Sequence, residues 1–309
     1  MIVALAGGVG GAKLAHGLYQ SEAADTVTVV VNTADDFDLW GLRIMPDVDT
    51  VLYTLAGIAN PETGWGIAGD SFATLDMLAR YGEEPWFRVG DRDFATHIRR
   101  TSLLRAGRSY TQVVGALAEA LRIRAHVLPM SDQPVATVVR TPRGELAFQE
   151  YFVRRRHTDE VLGVRFEGIE KARAPQPVLD AVARARAIVI CPSNPIVSIG
   201  PILDVPGVRD ALHASAAPKV AVSPIVGGRA LKGPADRMLA GLGKEVSAYG
   251  VAAHYAGLLS GIVIDAIDAT HAPRIEALGL RVLVTETIMR DTRDRARLAR
   301  DVVRFAESL

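Results

Sequence analysis

The sequence predicts an α/β fold: a doubly wound, mainly parallel, Rossmann-like sheet that carries a mainly helical insertion and a β-hairpin. Three observations predict it. Short, continuously apolar runs recur near both ends of the chain, as expected of strands buried on both faces of a parallel sheet. Helical patterns separate these runs at crossover length. A glycine cluster follows the first run, where a parallel sheet opens its ligand crevice.

Taken in order, Ile2-Val3-Ala4-Leu5-Ala6 leads into Gly7-Gly8-Val9-Gly10-Gly11, and Ala12 to Tyr19 then shows helical spacing. Thr26 to Val31 is a second β-branched run ending at Asn32. The strand pattern returns at Ala187 to Ile190, Lys219 to Val222, Gly261 to Ile264 and Arg281 to Val284, with helical patterns such as Pro177 to Ala185 and Pro234 to Leu242 between them. The middle differs. Ser71 to Tyr81, Asp91 to Leu104 and Thr111 to Arg124 carry apolar residues three or four apart, which marks residues 51–125 as a helical insertion. Pro134 to Arg140 and Glu145 to Phe152 flank Thr141-Pro142-Arg143-Gly144 and predict a hairpin within 130–170. The whole, 1–309, is read as a single α/β domain.

Composition removes several functional classes. Thirty-five Lys and Arg balance thirty-five Asp and Glu, so no basic excess supports nucleic-acid binding. With 49% hydrophobic and 23% charged residues, a large buried core is available and disorder is excluded. Cys191 is the single cysteine, which rules out an intrachain disulfide and fits a cytoplasmic protein. The apolar start has no basic residue before Lys13 and breaks at once into glycines, unlike a signal peptide. No uncharged apolar run approaches the roughly 20 residues of a spanning helix, so no membrane partner is expected. A homodimer is the usual state of soluble enzymes and is the expectation here.

The glycine cluster between strand and helix can bring backbone N–H groups close to an anion, with the helix dipole and Lys13 adding positive charge. It reads as a phosphate or diphosphate site. Lys13 stands where the dinucleotide fingerprint needs its last glycine, and Ala12-Lys13-Leu14 is not a Walker A ending. Asn32-Thr33-Ala34-Asp35-Asp36-Phe37-Asp38 follows strand two and belongs near the same crevice. In an extended Pro46-Asp47-Val48-Asp49, the two carboxylates project to one side and suit magnesium shared with phosphates; Asp49 also reads as a helix cap. In Gly90-Asp91-Arg92-Asp93, Arg92 could clamp a phosphate, or Asp91 could simply cap a helix. Cys191-Pro192-Ser193-Asn194-Pro195 and Ser223-Pro224-Ile225-Val226-Gly227-Gly228, followed by Arg229 and Lys232, end two later strands and suggest a nucleotide across the sheet top. Arg154-Arg155-Arg156-His157 reads as a solvated basic loop, Cys191 as a buried small residue, and His254 and His271 as structural.

These segments together resemble the 2-phospho-L-lactate transferase family of coenzyme F420 biosynthesis. The likeness runs from Gly7-Gly8-Val9-Gly10-Gly11-Ala12-Lys13-Leu14 through Val31-Asn32-Thr33-Ala34-Asp35-Asp36, Pro46-Asp47-Val48-Asp49 and Gly90-Asp91-Arg92-Asp93 to Pro192-Ser193-Asn194-Pro195 and Thr287-Ile288-Met289. What the resemblance implies is a magnesium-dependent transfer. The acceptor is the deazaflavin Fo, through its terminal ribityl hydroxyl. The donor is a guanosine diphosphate ester of a three-carbon phospho-acid (2-phospho-L-lactate, enolpyruvyl phosphate or 3-phosphoglycerate), supplied by a guanylyltransferase, and GMP is released. It assigns magnesium to Asp47 and Asp49, with Asp49 as the nearest group to a general base. Gly8, Gly10, Gly11, Lys13 and Arg92 would hold phosphates, and Thr33, Asp35, Asp36 and Trp40 the deazaflavin. Ser193, Asn194, Gly227, Gly228 and Arg229 would take the guanosine. The rival is a non-catalytic regulator resembling the gluconeogenesis-factor proteins, which bind nucleotide sugars at a similar glycine loop. The Asp47–Asp49 and Gly90–Asp93 segments favour the transferase. An NAD-linked oxidoreductase is disfavoured by Lys13 and by Asn32 at the end of strand two.

Overall fold

A computed structural model describes residues 1–309. Seven strands form one parallel sheet: β1 (Ile2–Ala6), β2 (Val27–Val31), β3 (His126–Pro129), β4 (Ala187–Ile190), β5 (Lys219–Val222), β6 (Gly261–Asp265) and β7 (Arg281–Thr285). Their spatial order is β7-β6-β5-β4-β1-β2-β3. The registers Ile2 to Val27 and Ile2 to Ala187 place β1 between β2 and β4. Connections leave β1 in opposite directions, so the crevice of the doubly wound sheet opens above the carboxyl ends of β1 and β4.

The strands alternate between two cores. Ile2, Ala4 and Ala6 face one layer; Val3 and Leu5 face the other. The first layer holds α1 (Gly8–Ser21), α2 (Pro46–Leu55), α5 (Tyr110–Ala120) and the C-terminal helix Thr292–Glu307. The second holds the shorter helices after β4 and β5 together with a three-stranded antiparallel sheet. Each fully buried Leu, Ile or Val across these layers contributes about 1.5–3 kcal/mol relative to exposure. No helix is long and apolar enough to cross a membrane.

The expected helical insertion is the long β2-to-β3 connection. It contains a small hairpin (Phe37–Leu39 with Leu42–Ile44), α2, α3 (Ala73–Arg80), α4 (Asp91–Arg105) and α5. Helix α2 begins at Pro46, ahead of the expected boundary at 51. Proline at the first helical position has its φ preset, and Asp47 and Asp49 in the first turn suit the positive end of the dipole. Helices α3 and α4 exchange caps. Asp91 accepts from the N–H groups of Ala73 and Thr74 at 3.0 and 2.8 Å, and Asp70 accepts from those of Arg92 and Asp93 at 2.8 and 3.1 Å. Those contacts hold the Asp91 carboxyl down at about 2, led by its bond from the Ser71 hydroxyl.

The hairpin region also differs from expectation. Ala136–Thr141 pairs with Gly144–Ala147 across the expected turn, and Gly163–Glu167 adds a third strand on the other side of Ala136–Thr141. Residues beyond Ala147 leave the sheet for a π-helical turn at Glu150–Arg154. Phe148 and Phe152, four apart, then stack at 5.5 Å between centroids, a contact an extended strand would not allow.

Candidate active site

A cleft of about 630 Å³ lies above the carboxyl ends of β1, β2 and β4. Its floor begins with the glycine turn. Gly7 is extended and Gly8 left-handed (φ 51°), so the chain enters α1 at once and the expected loop is the first turn of a helix. Absent side chains let this turn approach its neighbours: a Cβ at Gly10 would sit 2.3 Å from the Pro192 carbonyl oxygen, and one at Gly11 2.4 Å from Ser193 Oγ. Ser193 Oγ accepts from the Gly7 N–H at 3.0 Å and donates to the Gly7 carbonyl at 2.7 Å, tying the β1 and β4 loops together.

Two carboxylates face that turn. Asn32 Nδ2 donates to Asp35 Oδ2 at 3.1 Å and to Asp47 Oδ2 at 3.0 Å, so one amide bridges both acids. Burial raises the Asp47 carboxyl to about 6, against the pull of Asn32 and the Gly8 N–H. Burial, reinforced by the neighbouring charge of Asp47, pushes Asp35 well above the ordinary carboxylate range. Asp35 Oδ1 is buried with no hydrogen-bond partner. A buried acid pair with a free oxygen lacks positive charge, and its oxygen-only donors fit a hard divalent cation.

Asp49 has a different role. The expectation of an extended Asp47–Asp49 pair is corrected by α2: residues two apart on a helix point to different sides. Both Asp49 oxygens are bonded by the Arg100 guanidinium, which has no exposed surface and also donates to the Arg43 carbonyl at 3.2 Å. His97 lies between Asp49 (3.6 Å) and Asp93 (3.3 Å), and Tyr53 Oη donates to Asp93 at 2.6 Å. Burial pushes the Asp93 carboxyl up, but the contacts of His97, Tyr53 and Arg100 outweigh it and hold it below the usual range. Asp49, Asp93 and His97 place ligand-type atoms close together. With a guanidinium already bonded to Asp49, this trio reads as a hydrogen-bonded clasp between α2 and α4.

The rest of the cleft is aromatic and basic. Trp65, Trp86, Phe87, Phe148 and Phe152 wall it, and Arg88, Arg156 and Lys232 line it. Of the residues expected at the site, Gly8, Gly10, Asp35, Asp47, Asp49 and Asn194 reach the cleft. The others are placed elsewhere. Gly11 lies under Ser193. Lys13 Nζ donates to the Met289 carbonyl at 2.8 Å, its pKa lowered by burial and by the charges of Arg295 and Lys232. Arg92 is exposed and donates to the Ala68 carbonyl at 3.3 Å. Thr33 is buried away from the cleft, and Asp36 faces Arg43 at 3.9 Å. Trp40 donates to Glu83 at 3.1 Å and stacks on Phe94. Gly227 and Gly228, both with positive φ, form the tip of an exposed hairpin with Arg229. Such a two-residue turn requires left-handed residues, which accounts for the glycine pair without a ligand. Sequence reasoning passed over the aromatic wall and Arg88, and read Arg156 as part of a solvated basic loop, whereas Lys232 was already placed with the nucleotide-side segment; the Trp86-Phe87-Arg88 cluster was the signal for part of the rest.

A family model described as 2-phospho-L-lactate transferase CofD matches residues 2–288. The chain belongs to that family. A Streptomyces griseus relative named phosphoenolpyruvate transferase is 44% identical, covering 100% of this chain and 99% of its own. A Methanosarcina acetivorans relative named 2-phospho-L-lactate transferase is 40% identical, covering 98% of both. One from Methanopyrus kandleri with the same name is 41% identical over 100% of this chain and 98% of its own. Among solved structures, a UPF0052 family protein from Bacillus halodurans aligns at TM-score 0.68 over 98% of each chain with 16% identity, a likeness of fold. Membership in the 2-phospho-L-lactate transferase family makes this chain a phospho-acid transferase, built on a Rossmann-like sheet.

Proposed function

We propose that the cleft transfers a three-carbon phospho-acid from its guanosine diphosphate ester to the terminal ribityl hydroxyl of the deazaflavin Fo in coenzyme F420 biosynthesis. The hydroxyl oxygen bonds to the phosphorus that carries the acid, the bond from that phosphorus to the bridging oxygen breaks, and GMP leaves; the hydroxyl proton is released. Such a transfer needs charge neutralisation and in-line positioning more than covalent help.

The observation that carries this reading is the Asp35–Asn32–Asp47 arrangement at the amino end of α1, facing an aromatic-walled cleft. Asp47 and Asp35 would hold the magnesium ion, which when bound supplies neutralisation of the diphosphate. Asp49 is assigned to neither metal nor proton transfer, because Arg100 engages both of its oxygens. The N–H groups at the start of α1 and Lys232 would meet phosphate oxygens. Trp65, Trp86 and Phe148 offer flat faces to the deazaflavin ring.

Mass spectrometry of reactions with Fo, GTP, a guanylyltransferase and each phospho-acid in turn tests the proposal. The expected result is one GMP per molecule of phospho-acid joined to Fo. Absence of both products with every acid would overturn it.

A further inference from the structure

The basic run Arg154-Arg155-Arg156-His157 divides its labour. Arg154 pairs with Glu84 on the exposed surface. Arg155 pairs with Glu150 at 3.3 Å and Asp159 at 3.8 Å. His157 lays its ring on Phe152 at 5.4 Å, continuing the Phe148–Phe152 stack. Arg156 alone of the three arginines has no carboxylate partner, and it lines the cleft.

The backbone is bent to put it there. Arg156 and His157 are consecutive non-glycine residues at φ 51° and 46°. This unfavourable geometry follows the π-helical turn and is fastened on both sides. The His157 N–H donates to the Tyr151 carbonyl at 2.8 Å, and Arg237 Nη1 donates to the His157 carbonyl at 2.6 Å. Strained left-handed residues persist where surroundings over-determine them, and they gather at ligand clamps.

The other lining cations are placed differently. Lys232 donates to the Thr63 carbonyl at 2.8 Å, and its Nζ lies beside Gly64 and Val9 at the start of α1, the phosphate end. Arg88 lies 4.2 Å over the Phe72 ring. Resting on the transferase reading above, we propose that Arg156 recognises the carboxylate of the transferred acid and so selects acids over neutral groups. That carboxylate is common to enolpyruvyl and lactyl phosphates. A planar guanidinium can meet it with two parallel hydrogen bonds, as an ammonium cannot.

The test compares two donors, the guanosine diphosphate ester of phospho-lactate and the diphosphate ethyl ester that lacks the carboxylate, in wild type, Arg156→Gln and Arg156→Lys. R156Q is expected to raise KM for the lactyl donor roughly ten- to hundredfold and to leave KM for the ethyl ester unchanged. R156K should fall between, keeping the charge without the fork. Equal losses on both donors would make Arg156 a phosphate contact and overturn the proposal, as would no loss on either. Circular dichroism of each variant separates these outcomes from misfolding, and R156K, the milder change, keeps the comparison readable should R156Q unfold. Failure of the wild type with the guanosine diphosphate esters of all three phospho-acids would refute the transferase reading itself, and this inference with it.

Discussion

Arg100 grips both carboxylate oxygens of Asp49 in a pair shut away from water, so α4 is pinned to α2 beneath the cleft. Breaking such a pair strands a charge. Arg100→Met is expected to cost about 3–5 kcal/mol, measured by urea unfolding. Pairing it with Asp49→Leu should recover part of that loss, because no buried charge is then left alone. A double variant as unstable as the sum of the single changes would show that the pair is not the source of the effect.

Asp47 predicts a pH signature of its own. Its carboxyl is raised by burial to about 6 in the folded chain, against 3.8 unfolded. Between those values the folded state holds the proton and the unfolded state does not, so stability falls as pH rises from about 4 to 6. Asp47→Asn should remove about 1–3 kcal/mol of that decline, seen as the difference between wild-type and variant melting curves across pH. Magnesium should stabilise the wild type more at pH 8 than at pH 5 and should leave the variant unmoved. The variant should also keep its fold and most Fo binding while losing turnover; near-wild-type rates would remove Asp47 from the metal site.

The glycine turn is tested against a control on α5. Gly10→Ala places a methyl group within contact distance of the Pro192 carbonyl and should destabilise by about 1–3 kcal/mol. Gly115, exposed in mid-helix with nothing near its Cβ direction, should gain about 0.5–1 kcal/mol on the same change. Thermal unfolding of both variants reads the contrast. Equal and opposite signs to these would mean that the turn can move aside.

The tryptophans divide into reporters and a bystander. Trp65 and Trp86 line the cleft, whereas Trp40 is held by Glu83 and Phe94. Fo should quench intrinsic fluorescence, and Trp86→Phe should reduce the quench more than Trp40→Phe. The reverse order would restore Trp40 as the stacking surface.

The parallel sheet was legible because its strands are uninterrupted apolar runs, and the glycine turn because few other residues tolerate such close approach. Helix α2 was legible only in part: Pro46 and the two acids are helix-start signals, yet the same residues also read as an extended metal-binding pair. The partner that decides between them, Arg100, lies about fifty positions away and carries no local signature. Likewise, nothing near Lys13 in sequence announces the Met289 carbonyl that takes its ammonium group. The aromatic wall comes from two separate connections, between β2 and β3 and between β3 and β4, so no single window of sequence contains it.

The exchanged caps of Asp70 and Asp91 have an evolutionary consequence. They clasp the neck of the excursion that bears α3 and Trp86-Phe87-Arg88, so its ends stay together whatever lies between. Since closure entropy grows only slowly with length, insertions and exchanges within that arm are cheap for the sheet. The aromatic face that this arm gives the cleft can therefore diversify between lineages while the glycine-turn floor stays as it is.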